Sequence, residues 1–354
     1  MAESDFNADM LRLARSAREL TQADLAAASG VTQALISKIE NRLTVSPGSD
    51  VVQALAAALR FPVPFFYQTE KTHGFPHFHH RKRAKLGAKP LARIHAAINI
   101  GRQHVAKLYG SYERQVLRPV PMFDLDERGL TPAAAALKMR EYWMLPRGPI
   151  DNLTEVVEAA GGIVVQSDFG TSHMDGLSFR VEGLPPLFFL NSRVPGDRYR
   201  FTLAHELGHM LFHHLPEDDA LMERQADEFA AAFLMPAQEI RPYLGRASLS
   251  QLGRAKPYWK VSIKSLIRRS HDLKMMTDNQ YKMLNIAYNK EGYASGEPHP
   301  LAVEKPGTLS AMVKHHIEAL GYSSAELAEL LLMDEAEFSS AYIGRPKLAV
   351  VSSR

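Results

Sequence analysis

His205-Glu206-Leu207-Gly208-His209 sets two imidazoles four residues apart with a carboxylate beside the first. On a helix, residues at that spacing share a face, so both rings can reach one metal ion. Glu206 then projects toward the same cavity, where it can take a proton from an attacking water. The flanking Phe201, Leu203, Ala204, Leu207, Leu211 and Phe212 bury the remaining faces of a helix expected over about 197–214. Gly208 permits another backbone to come close.

A third ligand follows 14 positions after His209, at Glu223, in the run Glu223-Arg-Gln-Ala-Asp227-Glu-Phe-Ala230-Ala-Ala-Phe-Leu234-Met-Pro236. That gap permits a turn and an antiparallel return. Asp227, one helical turn on, can hydrogen-bond the free nitrogen of a ligand histidine and fix its tautomer. Ala226 and Ala230 to Ala232 let the second helix pack tightly on the first. Three ligands and an open fourth position describe a catalytic zinc site, one Zn2+ per chain. With that site filled, His213 and His214 read as residues supporting the ligands or lying at the surface. His73, His77, His79 and His80 fall in an irregular basic stretch and do not read as a second metal site.

A second constellation lies near the N-terminus: Gln22-Ala-Asp-Leu25-Ala26, then Gly30-Val31, Ile36 and Ile39-Glu40. Small Ala26 suits a close helix crossing, and Gly30 gives the tight turn its backbone freedom. Val31, Ile36 and Ile39 pack the second helix on the first. Gln33, Ala34, Ser37 and Lys38 are left on the outer face, where a recognition helix meets the major groove.

Over residues 10–66 this resembles the lambda-repressor/Cro-like (XRE) family. The resemblance implies that Gln22 and Asn41 contact phosphates and that Gln33, Ala34, Ser37 and Lys38 face base edges. Phe189-Leu-Asn191, Arg200-Phe-Thr-Leu-Ala-His-Glu-Leu-Gly-His209-x-Leu-Phe-His213 and Glu223-x3-Asp227-x-Phe-Ala-x2-Phe-Leu-Met-Pro236 resemble the ImmA/IrrE metallopeptidase family over about 135–245. That resemblance implies a short sheet beside the active-site helix and cleavage of a repressor-type partner. Relatives often carry Asn where this chain has Asp227. The order of the parts is similar to that of bacterial and phage regulators, which implies a role in stress or prophage regulation.

The elements around these motifs predict a mainly α protein with a small β-sheet (α+β). The expected parts are a five-helix-type helix-turn-helix domain (1–70), a basic linker and helical connector (71–134), the peptidase domain (135–245) and a helical C-terminal region (246–354). Strands are expected at Ile163-Val-Val-Gln166, Leu177-Ser-Phe-Arg180 and Leu187-Phe-Phe-Leu190. A substrate segment is expected to pair with an exposed strand, for which Leu187 to Leu190 is the candidate. No internal repeat stands out.

The 354 residues contain no cysteine, which excludes disulfide scaffolds and thiolate chemistry. MAESDFNADM is not a basic run followed by an apolar one, and no apolar stretch approaches the about 20 residues that span a bilayer, so a cytoplasmic protein away from membranes is expected. Residues 71–120 hold 11 basic side chains against 1 acidic, whereas residues 1–70 hold 6 against 8. A slightly acidic reading domain needs that basic segment, or a homodimer, to grip a double-stranded DNA operator. The segment reads equally as a solvated linker face. Residues 246–274, with 8 basic and 1 acidic, read as a helix pair packed on the peptidase or as a second DNA-touching motif, the packing reading being favoured. Two functions stand: a regulator whose zinc peptidase cleaves a repressor-type protein or itself, and a transcription factor using the zinc domain as a metal or ligand sensor. Glu206 discriminates, because a sensor needs ligands but no general base.

Overall fold

The computed structural model describes residues 5–43, 46–69, 72, 87–125, 129–214, 218–245 and 248–344. Arg81, Lys82, Arg83, His73, His77, His79 and His80 lie outside the described residues. The architecture is mainly α with one three-stranded sheet. Contacts divide the chain into two units: one gathers the described residues up to 69, 87–114 and 308–344, and the other spans 115–307.

The first unit begins with α1 (Ala8–Ala17), α2 (Gln22–Ser29), α3 (Gln33–Glu40), α4 (Ser49–Leu59) and a 3-10 turn, Val63–Tyr67, followed by the long α5 (Ala88–Tyr109). Local chemistry sets the reading motif. Thr21 and Asp24 form a reciprocal capping box, Gly30 adopts the left-handed conformation at φ 73°, and Thr32 caps α3. Leu25, Val31, Ile36 and Ile39 are buried with Met10, Leu11, Leu55 and Phe66. Glu40 is buried too, and its charge is met on both oxygens by Arg15, at 2.6 and 2.9 Å. Such pairing offsets a desolvation penalty that an isolated carboxylate would not survive.

The second unit carries α6 (Pro132–Tyr142), α7 (Leu153–Ala159), β1 (Ile163–Ser167), β2 (Gly176–Phe179), β3 (Leu187–Asn191), α8 (Gly196–Phe212), α9 (Asp219–Leu234), α10 (Ala237–Leu244), α11 (Leu249–Trp259), α12 (Ile263–Asp272) and α13 (Asp278–Lys290). The sheet order is β1-β3-β2, with β1 parallel and β2 antiparallel to β3. Leu187 to Leu190 is therefore the central strand, buried at every residue, and not the exposed strand expected from the sequence. Both of its edges are occupied by neighbours, so it has no ladder to offer a peptide. The outer edge beside α8 belongs to β2.

α8 is buried along nearly its whole length, between this sheet and α9. The backbone that Gly208 admits is that of Ala226: a Cβ at Gly208 would lie 3.1 Å from the Ala226 Cα and 3.2 Å from the Phe229 ring. Asn191 fixes the entry to α8, its amide donating to the carbonyls of Thr171 (2.6 Å) and Met174 (3.0 Å). Arg200, fully buried, donates to the carbonyls of Ile150 and Lys260 and pairs with Glu304.

The Gly/Pro-rich stretch after α13 has no regular structure, yet it is anchored. Glu297 accepts from Lys256 Nζ (2.8 Å) and Ile263 N (2.7 Å), and Glu304 accepts from the Thr154 N at the start of α7 (2.8 Å). Ile263, Leu266 and Ile267 of α12 are buried in the core of the second unit, and Arg269 donates to the Met235 carbonyl. The basic helix pair thus packs, as favoured from its sequence.

Residues 308–344 return to the first unit as α14 (Thr308–Glu318), α15 (Ser324–Leu331), α16 (Glu335–Phe338) and a π turn, Ser339–Ile343. They share local features with α2, its turn and α3. Ser323 and Glu326 form the same capping box as Thr21 and Asp24. Leu332, at φ 55°, takes the left-handed place of Gly30, and Asp334 caps the next helix as Thr32 does. Leu327 and Phe338 are buried where Leu25 and Ile36 are.

His104 on α5 is buried, its Nδ1 2.6 Å from the Tyr342 hydroxyl. Burial, helped by nearby Lys107, pushes its pKa down to about 4. An unfolded chain takes up this proton near pH 6.5, roughly the free imidazole value, whereas the folded one does not until about 4. The unfolded state then binds more protons in that window, so stability contributed here is lost as pH falls through it. His104→Gln is expected to flatten that part of the pH dependence, read as the urea midpoint of the first unit between pH 4 and 7.

Candidate metal centre and nucleic-acid interface

α8 projects His205 and His209 from one face, and α9, held close by the Gly208–Ala226 contact, brings Glu223 across to them. The two Nε2 atoms are 3.1 Å apart. Glu223 Oε1 lies 3.3 Å from His209 Nε2, and its Oε2 lies 3.7 Å from His205 Nε2. The ligand atoms of these three residues lie within 4.8 Å of one another.

The partners behind the rings are consistent with one placement of the ring protons. His205 Nδ1 is 2.8 Å from Asp227 Oδ1, a carboxylate that accepts, so the proton sits on Nδ1 and Nε2 presents a lone pair. His213 Nε2 is 2.8 Å from Gln225 Oε1, an amide oxygen that also accepts. His213 therefore keeps its proton on Nε2, and its Nδ1 accepts from His209 Nδ1 at 2.8 Å. That leaves His209 Nε2 with a lone pair as well. In that arrangement two imidazole lone pairs and a carboxylate point toward one place, where a cation would be attracted by all three. Two neutral imidazoles and one carboxylate fit a divalent transition metal. Burial holds His209 in its neutral form, with a pKa pushed down to about 3.

Glu206 is fully buried beside this centre and does not join the cluster. Ser178 Oγ, on β2, lies 2.9 Å from its Oε2 and 3.0 Å from its carbonyl oxygen. That hydroxyl fixes the carboxylate against the edge strand of the sheet. The alternation of antiparallel bonds shows which groups face outward. Asn191 N donates to Asp175 O at 2.7 Å, so Gly176 and Ser178 turn their own N–H and C=O toward the outer edge.

The sequence expected four of these groups to meet, and they do: His205, His209 and Glu223 converge, and Asp227 stands behind His205. His213 meets His209 at 2.8 Å, the supporting place that was one of its two expected readings, whereas Gln225 behind it and Ser178 against Glu206 were missed. His213 carries a weak signal, four residues past His209 on the same face. His214 points away, exposed, with its Nε2 at the Leu211 carbonyl.

In the first unit, Gln33, Ala34 and Lys38 are exposed along α3, Ser37 is half-buried, and Asn41 is exposed at the helix end. Gln22 at the start of α2 donates to Glu40 Oε2 (2.7 Å), and Gln33 Nε2 lies 3.4 Å from the Gln22 oxygen. This links Gln33 to the buried carboxylate and presets its direction. The six residues expected to meet DNA thus lie along α3, its C-terminal end and the start of α2.

Residues 11–66 match the family model described as helix-turn-helix. Residues 158–271 match a peptidase-family model described as the IrrE N-terminal-like domain. A comparison with curated proteins gives no match. No helix among the described residues is long and apolar enough to cross a membrane.

Proposed function

We propose that this regulator, which joins an XRE-type helix-turn-helix domain to an ImmA/IrrE-like domain, binds operator DNA as a homodimer and cleaves a repressor-type protein, or its own chain, with a zinc-dependent site. The observation that carries the reading is the convergence of His205 Nε2, His209 Nε2 and the Glu223 carboxylate beside a buried Glu206 that is not part of the cluster.

His205, His209 and Glu223 would hold the zinc, which when bound supplies Lewis acidity to the scissile carbonyl. Asp227 orients His205, and the His213–Gln225 pair orients His209. Glu206 accepts a proton from the attacking water and passes it to the leaving amine. Ser178 holds the Glu206 carboxylate in place for both transfers. β2, the edge strand on the Glu206 side of the sheet, replaces the interior strand at 187–190 as the strand an extended substrate would pair with. Glu206 favours cleavage over the sensor reading, since ligand binding alone does not require it.

On DNA, Gln33 and Lys38 read base edges, with Ala34 and Ser37 against the groove floor and Gln22 and Asn41 at phosphates. Gln33→Ala or Lys38→Ala is expected to relax base preference at one position by about 1–3 kcal/mol in a competition assay on a pseudo-palindromic site. Replacing Arg81, Lys82 and Arg83 together is expected to weaken binding to all sequences alike and flatten its salt dependence. An unaltered salt slope would make the basic segment a spacer. The metal part of the proposal is tested by elemental analysis, which is expected to give about one zinc per chain.

A further inference from the structure

We propose that residues 308–344 are a second helix-turn-helix that has exchanged DNA for a protein partner, clasping the N-terminal reading domain through Asp334 and Glu337. The two copies share their turn geometry, with the caps 11 residues apart in each, at Thr21 and Thr32 and at Ser323 and Asp334. They differ in the charge at the start of the second helix. Where the first copy has Thr32, Gln33 and Leu35, the second has Asp334, Glu335 and Glu337. Three acids in one turn repel a phosphate backbone.

Two of those acids have a cationic partner in the same unit. Glu337 pairs with Arg18 at 2.9 Å and with Arg60 at 3.3 Å, and Asp334 approaches Arg60 at 3.7 Å. Arg18 is held for this role: it donates to the carbonyls of Leu59 (2.7 Å) and Arg60 (2.9 Å), and its guanidinium lies 4.7 Å from the Phe61 ring centre. Both arginines sit at the C-terminal ends of α1 and α4, and Gln33, Ala34 and Lys38 stay exposed on α3. The clasp therefore holds the reading domain without covering its reading face. The second unit is inserted in the chain between α5 and α14, so the reading domain is fastened by the chain at residues 70–86, by α5 packed on α1, and by this acidic copy, the last being an ion-pair network.

The test places a recognition site for an exogenous protease between residues 71 and 86 of the full chain, in a Glu206→Gln background that removes self-cleavage. After the cut, release of the N-terminal fragment from the immobilised remainder is followed against salt. The wild-type clasp is expected to retain the fragment at low salt and release it faster as salt rises. Asp334→Lys with Glu337→Lys is expected to speed release about tenfold at low salt, the scale of a small ion-pair network. Arg18→Glu combined with Glu337→Arg is expected to recover much of the retention, which a misfolded variant would not. Equal, salt-independent release from all the chains would overturn the clasp. A DNA arm tests the other half. With Gln33→Ala and Lys38→Glu in the first copy, specific DNA binding is expected to vanish; persistent specific binding would show that the second copy reads DNA and overturn the proposal.

Discussion

Glu206→Gln is expected to lower peptide cleavage by about 100- to 10,000-fold, the usual contribution of a general base. The substitution keeps the side chain's shape and its contact with Ser178, whose Oγ lies 2.9 Å from Oε2. Ser178 can turn its hydroxyl to the Glu206 carbonyl, 3.0 Å away, so an amide is tolerated. The three metal-facing residues are untouched, since Glu206 is outside their cluster. Zinc content, thermal stability and operator affinity should match wild type while cleavage is lost. Ser178→Ala should reduce turnover less, because it loosens the base without removing it. A variant that loses zinc and cleavage together would mean that Glu206 is a ligand.

The second large effect concerns the metal. His205, His209 and Glu223 come from two helices, so an ion bound by all three ties α8 to α9 and stabilises only the folded state. At free zinc about 1,000-fold above the dissociation constant, linkage gives about 4 kcal/mol. For a unit of this size that corresponds to a rise in Tm of about 10 °C. His205→Ala, His209→Ala and Glu223→Ala should each lose most of that rise. His213→Ala should keep a measurable rise with about 10- to 100-fold weaker affinity, because it removes the group that sets the His209 tautomer. Gln225→Leu should act in the same direction through His213. A zinc-induced rise of full size in Glu223→Ala would show that the third ligand lies elsewhere.

What was legible in the sequence follows from the range of the physics. The metal cluster rests on a four-residue helical spacing and one short return, both local, and the reading motif rests on caps and a left-handed turn. Ser178 was not legible, because its position beside Glu206 depends on strand order and on which face of β2 meets α8. Strand order itself left a trace that was overlooked: Leu187-Phe-Phe-Leu190 is unbroken apolar, as in a strand buried on both faces. The likeness of the C-terminal segment to the reading motif was hidden by Leu332. Left-handed backbone usually announces itself as glycine, and here a leucine at φ 55° occupies the place of Gly30. The matched runs Thr21-x2-Asp-Leu-Ala and Ser323-x2-Glu-Leu-Ala were the signal available. The stretch after α13 has the composition of a loose break, and contacts distant in sequence, those of Glu297 and Glu304 among them, show that it is pinned.

The most direct measurement of the central claim is expression of wild type and Glu206→Gln in the same host, reading regulated transcripts and new protein N-termini together. Under conditions that induce the target genes, wild type is expected to yield a cleaved fragment of a repressor-type protein or of its own chain, along with a transcript change, and Glu206→Gln neither. Identical transcripts in the two strains, with no fragment specific to wild type, would contradict the peptidase and leave the metal centre as a sensor.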